Sequence, residues 1–120
     1  MSSIGFKDMK VLGNMFKVTW HEILISLVKW LFVRYSKDTI IVTCAYEKRD
    51  YGSVHSMNPL RGLDLRSRVF EDPFQIESDI NKHWQYDPQR TDMKVCLYHD
   101  TGRGKHFHLQ VHPRTIHLGG

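Results

Sequence analysis

The chain has only two cysteines in 120 residues, too few for a disulfide framework of the kind that staples small secreted scaffolds. Cys44 and Cys96 each sit in an apolar, strand-like segment. Both read as free buried thiols rather than as a disulfide or as zinc ligands, which suits manufacture in a reducing cytosol. Internal repeats, low-complexity tracts and a glycine-rich phosphate loop are also missing, which excludes solenoids and the common nucleotide-binding fingerprints. The longest apolar stretch, Ile23 to Val33, is interrupted by Ser26 and Lys29 and is too short to span a bilayer. It also lies too far from the start, with no cleavage-like site after it, to read as a secretory signal. The length fits one domain over residues 1–120 with a modest core and no separate wall-binding module.

What is present is an ordinary globular composition, 41% hydrophobic and 25% charged, with a formal net charge of +4. A basic balance draws a protein toward anionic partners, and bacterial cell wall and nucleic acid both qualify. Lys and Arg are scattered, however; Arg61, Arg66 and Arg68 are the nearest thing to a local patch.

Periodicity predicts an α+β fold: a small antiparallel sheet packed with two main helices. Thr19-Trp-His-Glu22 has the form of a capping box, and Trp20, Leu24, Leu27, Val28 and Leu31 recur after it at helical spacing. A strand is expected over Thr39 to Tyr46 and a short one over Leu63 to Arg66. Asp72-Pro73, a cap followed by proline at the first helical position, starts a second helix running to about Trp84. Met93 to His99 and Lys105 to His112 then form a hairpin across Asp100-Thr-Gly-Arg-Gly104.

The chemistry concentrates at two places, Ser53-Val54-His55 running on to Asp64, and His106-Phe107-His108. On a strand, residues i and i+2 project from the same face about 7 Å apart. Phe107, Leu109 and Val111 therefore line one face, and His106, His108, Gln110 and His112 the other. Two imidazoles and a carboxylate, with one coordination position left for water, are what hydrolytic zinc requires. The remaining histidines, His21, His83, His99 and His117, read as structural or surface residues, His99 being the closest of them to the hairpin.

The order Thr39-Ile-Ile-Val-Thr-Cys-Ala-Tyr46, Ser53-Val-His55, Arg61-Gly-Leu-Asp64 and His106-Phe-His108 resembles the D-Ala-D-Ala zinc metallopeptidases of the M15 type, within the wider group containing lysostaphin-type enzymes and hedgehog domains. The resemblance covers about residues 38–112. It implies zinc held by His55, Asp64 and His108, with His106 beside the metal as acid/base, Ser53 supporting a ligand, and Arg61 or Arg66 binding substrate or oxyanion charge. Three departures stand out. Asp64 follows His55 by nine residues, Glu47 stands where the family has an Arg, and Lys105 stands where many members have a Glu. The form with His106 as base is therefore the better match, although Glu47 and Asp100 are alternative carboxylates.

On this reading the chain is expected to be a zinc peptidase acting on the peptides of bacterial peptidoglycan. It would be a monomer without nucleic-acid partners, made in the cytoplasm, and suited to phage lysis or wall remodelling. One alternative is a hedgehog-like module that binds zinc without turnover. Another is a DNA-nicking nuclease with an HxH strand, but such an enzyme needs a tyrosine nucleophile after that strand. None occurs in the twelve residues that follow His108.

Overall fold

Alternation of apolar and polar residues in the segments around Leu63 and Phe107 dictates strands with one buried face, and two such strands form the centre of the sheet. The computed structural model describes residues 3–35, 39–44, 59–100, 102 and 104–119. In chain order these hold β1 (Ser3–Phe6), α1 (Met9–Met15), α2 (Glu22–Arg34), β2 (Thr39–Cys44), β3 (Gly62–Arg66), α3 (Pro73–His83), β4 (Trp84–Gln85), β5 (Cys96–Asp100), β6 (Lys105–Gln110) and β7 (Ile116–His117). Five strands form a sheet in the order β1-β2-β3-β6-β5, and β4 pairs with β7 in a small separate ribbon. The α+β class is as expected, and the sheet is mostly antiparallel. Its one parallel pair, β1 with β2, joins a first strand and helix that hydrophobic periodicity did not announce.

The core lies between the apolar face of this sheet and the helices. Leu24, Leu27 and Leu31 of α2 and Ile80 of α3 join Leu63, Leu65, Phe107 and Leu109 in one buried cluster. Removing each such side chain from water contributes about 1.5–3 kcal/mol. The start of α2 differs from the capping box. Its N-cap is His21, whose Nδ1 accepts the Ile23 amide at 3.2 Å. Thr19 and Trp20 stay extended because the Leu60 amide donates to the Thr19 carbonyl at 2.8 Å and Trp20 bridges Leu60. By contrast, α3 starts as the sequence predicts, with Asp72 accepting the Gln75 amide and Pro73 opening the first turn. Expected strand residues Ala45 and Tyr46 lie outside the described residues. No helix among the described residues is long and apolar enough to cross a membrane.

Two polar devices fix α3. Its Asp79 carboxylate binds the Arg34 guanidinium, with Nη2 at 2.7 Å, and also accepts from the Tyr35 hydroxyl, tying α3 to the end of α2. On its other side α3 covers β5, one of the two edge strands of the sheet. The Asn81 side chain accepts the Cys96 amide at 2.9 Å and donates to the Cys96 carbonyl at 2.8 Å, while Glu77 accepts the Tyr98 amide at 2.6 Å. Both cysteines are free and buried, as the sequence suggests, and burial pushes the Cys96 thiol well above its ordinary range.

Two outcomes follow for stability. Asn81→Ala leaves the Cys96 amide and carbonyl without these partners and is expected to cost about 2 kcal/mol, read from urea denaturation. Arg34 hydrogen bonding holds the Asp79 carboxyl below its ordinary value of 3.8. Its stabilisation is therefore present above that value and lost as pH falls through the depressed one. Asp79→Asn should lower stability at neutral pH and flatten the fall in urea midpoint below pH 3.8; an unchanged acid limb would count against the Arg34–Asp79 pair.

Candidate metal and hydrolytic site

Antiparallel pairing of β3 with β6 sets Asp64 opposite His108 and Arg66 opposite His106, so these residues share one face of the sheet. The alternate register positions, Leu63 with Leu109 and Leu65 with Phe107, send four apolar side chains to the core, while Gly62 lies opposite Gln110. Hairpin pairing of β5 with β6 adds His99 opposite His106. On the far side, β2 carries a register shift between Val42 and Cys44, which brings Cys44 opposite Asp64. Such irregularities re-aim side chains and are common beside functional sites.

The geometry is that of a carboxylate between two imidazoles. His108 Nδ1 lies 3.2 Å from Asp64 Oδ1, and His106 Nε2 lies 3.7 Å from Asp64 Oδ2. All three are largely buried, with side chains 10–15% exposed. The protonation of each ring follows from its other nitrogen. Gln110 Nε2 donates to the Lys94 carbonyl at 2.7 Å, so the amide presents Oε1 to His108 Nε2 at 3.1 Å and selects the Nε2–H tautomer. His106 Nδ1 lies 3.1 Å from the Gly104 carbonyl, selecting Nδ1–H there. In neutral rings, the nitrogens facing Asp64 are therefore lone-pair donors pointed at an anion. That arrangement calls for a cation or a proton between them.

His99 closes the cluster. Its ring packs edge-on to His106 at 5.0 Å and tilted to His108 at 5.8 Å. Burial, reinforced by these two imidazoles, holds its own imidazole below the ordinary histidine range. The hairpin turn is set by Asp100, whose Oδ1 accepts the amides of Gly102 and Gly104 at 2.7 and 3.1 Å. Both glycines have positive φ, 99° and 93°, a conformation that favours glycine.

Of the sequence-derived site residues, the structure brings Asp64, His106 and His108 together, with Arg66 on the same face. Ser53 and His55 lie outside the described residues, as does Glu47. Arg61 turns elsewhere, donating to the Val111 carbonyl at 2.8 Å and the Tyr86 hydroxyl at 3.2 Å. Asp100 is engaged in its turn. His99 and Gln110 belong to the site although sequence reasoning left them out. The alternation that marked the β6 histidines also puts Gln110 on their face, and equal hairpin spacing from the turn would have matched His99 to His106. His83 and His117 flank Trp30, at ring separations of 5.5 and 6.0 Å, in keeping with a structural reading.

Among the described residues, no group of three or more His, Cys, Asp or Glu side chains is set to hold a metal ion. Asp64 and His108 supply two donors whose 3.2 Å separation suits adjacent ligands. In a tetrahedron with bonds of about 2.0–2.2 Å, donors sit roughly 3.4 Å apart. The chain matches no protein-family model, no curated protein and no solved structure.

The tautomers provide a direct check. With zinc added, so that a cation takes the place of a proton beside Asp64, long-range nitrogen-15 spectra should show the His106 ring hydrogen on Nδ1 and a bare Nε2. The reverse pattern would remove Nε2 as a base.

Proposed function

We propose that the chain is a zinc-dependent peptidase that hydrolyses peptide bonds of bacterial peptidoglycan. The ion would be held by Asp64, His108 and His55, and His106 would act as the acid/base. The observation that carries this reading is the convergence of His106 Nε2 and His108 Nδ1 on the two oxygens of Asp64. Sharing one carboxylate between two lone-pair nitrogens is unfavourable without a positive charge, and a divalent ion supplies it. The resemblance of the Ser53 to Asp64 and His106 to His108 segments to D-Ala-D-Ala metallopeptidases gives the substrate class.

When bound, zinc contributes Lewis acidity toward the scissile carbonyl and lowers the pKa of water from about 15.7 to about 7. The chain's own residues do the rest. Asp64 and His108 would hold the ion, and Gln110 keeps His108 in the tautomer whose Nδ1 is free to ligate. His106 Nε2 accepts the proton of the attacking water as its oxygen adds to the carbonyl carbon. The same nitrogen returns that proton to the departing amine when the C–N bond breaks. His99 packs against the ring that performs this transfer. Arg66, opposite His106, is a cation on this face suited to meet developing oxyanion charge. A wall hydrolase of phage lysis or remodelling fits this reading.

Elemental analysis of purified, zinc-supplemented protein should find one zinc per chain, lost in His55→Ala, Asp64→Ala and His108→Ala. Incubation with purified peptidoglycan should release muropeptides, and His106→Ala should reduce the rate about 100-fold or more while retaining zinc. Absence of zinc from the wild type would sink the metal reading. Bound zinc with no muropeptide product would instead identify a non-catalytic zinc-binding module.

A further inference from the structure

Beyond the His–Asp face, a second polar cluster surrounds Tyr86, a residue only 4% exposed. Arg61 Nη2 donates to its hydroxyl at 3.2 Å, the Arg90 guanidinium lies 5.9 Å from its ring centre, and the His112 ring packs against it at 5.6 Å. Beneath them lies Asp87, fully shielded from solvent and bound by Arg114 Nη2 at 2.6 Å. Arg114 is committed to this structural role, because its Nη1 also donates to Gln89 at 3.1 Å. Among the described residues of this cluster, three guanidiniums face the one carboxylate of Asp87, which leaves two positive charges, those of Arg61 and Arg90. Arg61 is half-buried, and Arg90 is exposed.

The histidine is prepared as a neutral donor. The Arg114 amide donates to His112 Nδ1 at 3.1 Å, which leaves the ring hydrogen on Nε2. Burial, with the charges of Arg61 and Arg114, holds this imidazole below the ordinary histidine range, so it is uncharged at neutral pH. Arg61 is aimed rather than loose, since its Nε is anchored on the Val111 carbonyl at 2.8 Å. Guanidinium groups braced in this way match the planar oxygens of carboxylates and phosphates.

We propose that Arg61, Arg90 and His112 form a binding site for an oxyanion group, a carboxylate or a phosphate, carried by a ligand of this protein. Arg61 and Arg90 supply charge, and His112 supplies a neutral N–H. Asp87 and Arg114 position the histidine. The site stands on this charge balance and not on the zinc reading. His112 lies four residues beyond His108, about 13 Å along an extended chain, so a ligand engaging both regions would span several residues.

The test is titration of the full chain with inorganic phosphate and, separately, with acetate, at ionic strength held constant with chloride, following the His112 and Arg61 side-chain NMR signals. Saturable shifts with either anion are expected. Saturation by phosphate alone identifies a phosphate-bearing ligand, and saturation by acetate a carboxylate-bearing one. Arg90→Gln, at an exposed position, should weaken binding about tenfold without unfolding the protein, and Arg61→Gln should do at least as much. His108→Ala should leave the affinity unchanged, which separates this site from the metal reading. Linear shifts equal to those of chloride, or undiminished binding in Arg90→Gln, would overturn the proposal.

Discussion

The register between β3 and β6 is the constraint on which the rest depends. With Asp64 opposite His108 and Leu65 opposite Phe107, the same ladder that buries the core collects the carboxylate and imidazoles on the reverse face. A strand has a side-chain period of two, so a slip of one residue would drive Asp64 toward the leucines and expose Phe107. Burying the apolar face is thus what holds the polar face in place. Leu63, Leu65, Phe107 and Leu109 are each at most 4% exposed, which makes any other register costly. The precision of the polar cluster is inherited from hydrophobic packing, without a dedicated scaffold of its own.

Much of this was legible in the sequence, because both halves of the pattern are periodic. The β6 alternation gave the two faces. Asp72-Pro73 gave the start of α3, and the leucines of α2 gave its buried stripe. Where reading failed, the competing interaction is visible. Thr19 looks like a helix cap, yet its carbonyl is recruited by the Leu60 amide, and the helix waits until His21. β1 is too short for alternation to register, and it is a strand because β2 lies parallel beside it. His99 reads as structural or surface in the sequence, and its neighbours His106 and His108 appear only when the hairpin closes. Arg61, read together with Arg66 as a group for substrate or oxyanion charge, is anchored on the Val111 carbonyl and the Tyr86 hydroxyl and not on the His–Asp face, a placement that only the folded chain reveals.

The two polar clusters share a device. In each, a hydrogen bond to one imidazole nitrogen decides what the other can do: Gln110 for His108, the Gly104 carbonyl for His106, and the Arg114 amide for His112. Two of these three partners are backbone groups, so their positions are fixed by the fold and not by side-chain rotamers. Ring chemistry is thereby set when the chain folds, before any ligand arrives.

The cover that α3 places on β5 bears on how a chain-like molecule can meet this sheet. An edge strand with open amides and carbonyls invites another extended segment to join by backbone pairing, whether a peptide ligand or a neighbouring copy. Here Asn81 and Glu77 already occupy such groups on Cys96 and Tyr98, so a joining strand would have to displace them first. Growth of the sheet at that margin is thereby opposed. The β5 side of the sheet is thus open to a ligand through its polar face and guarded along its rim.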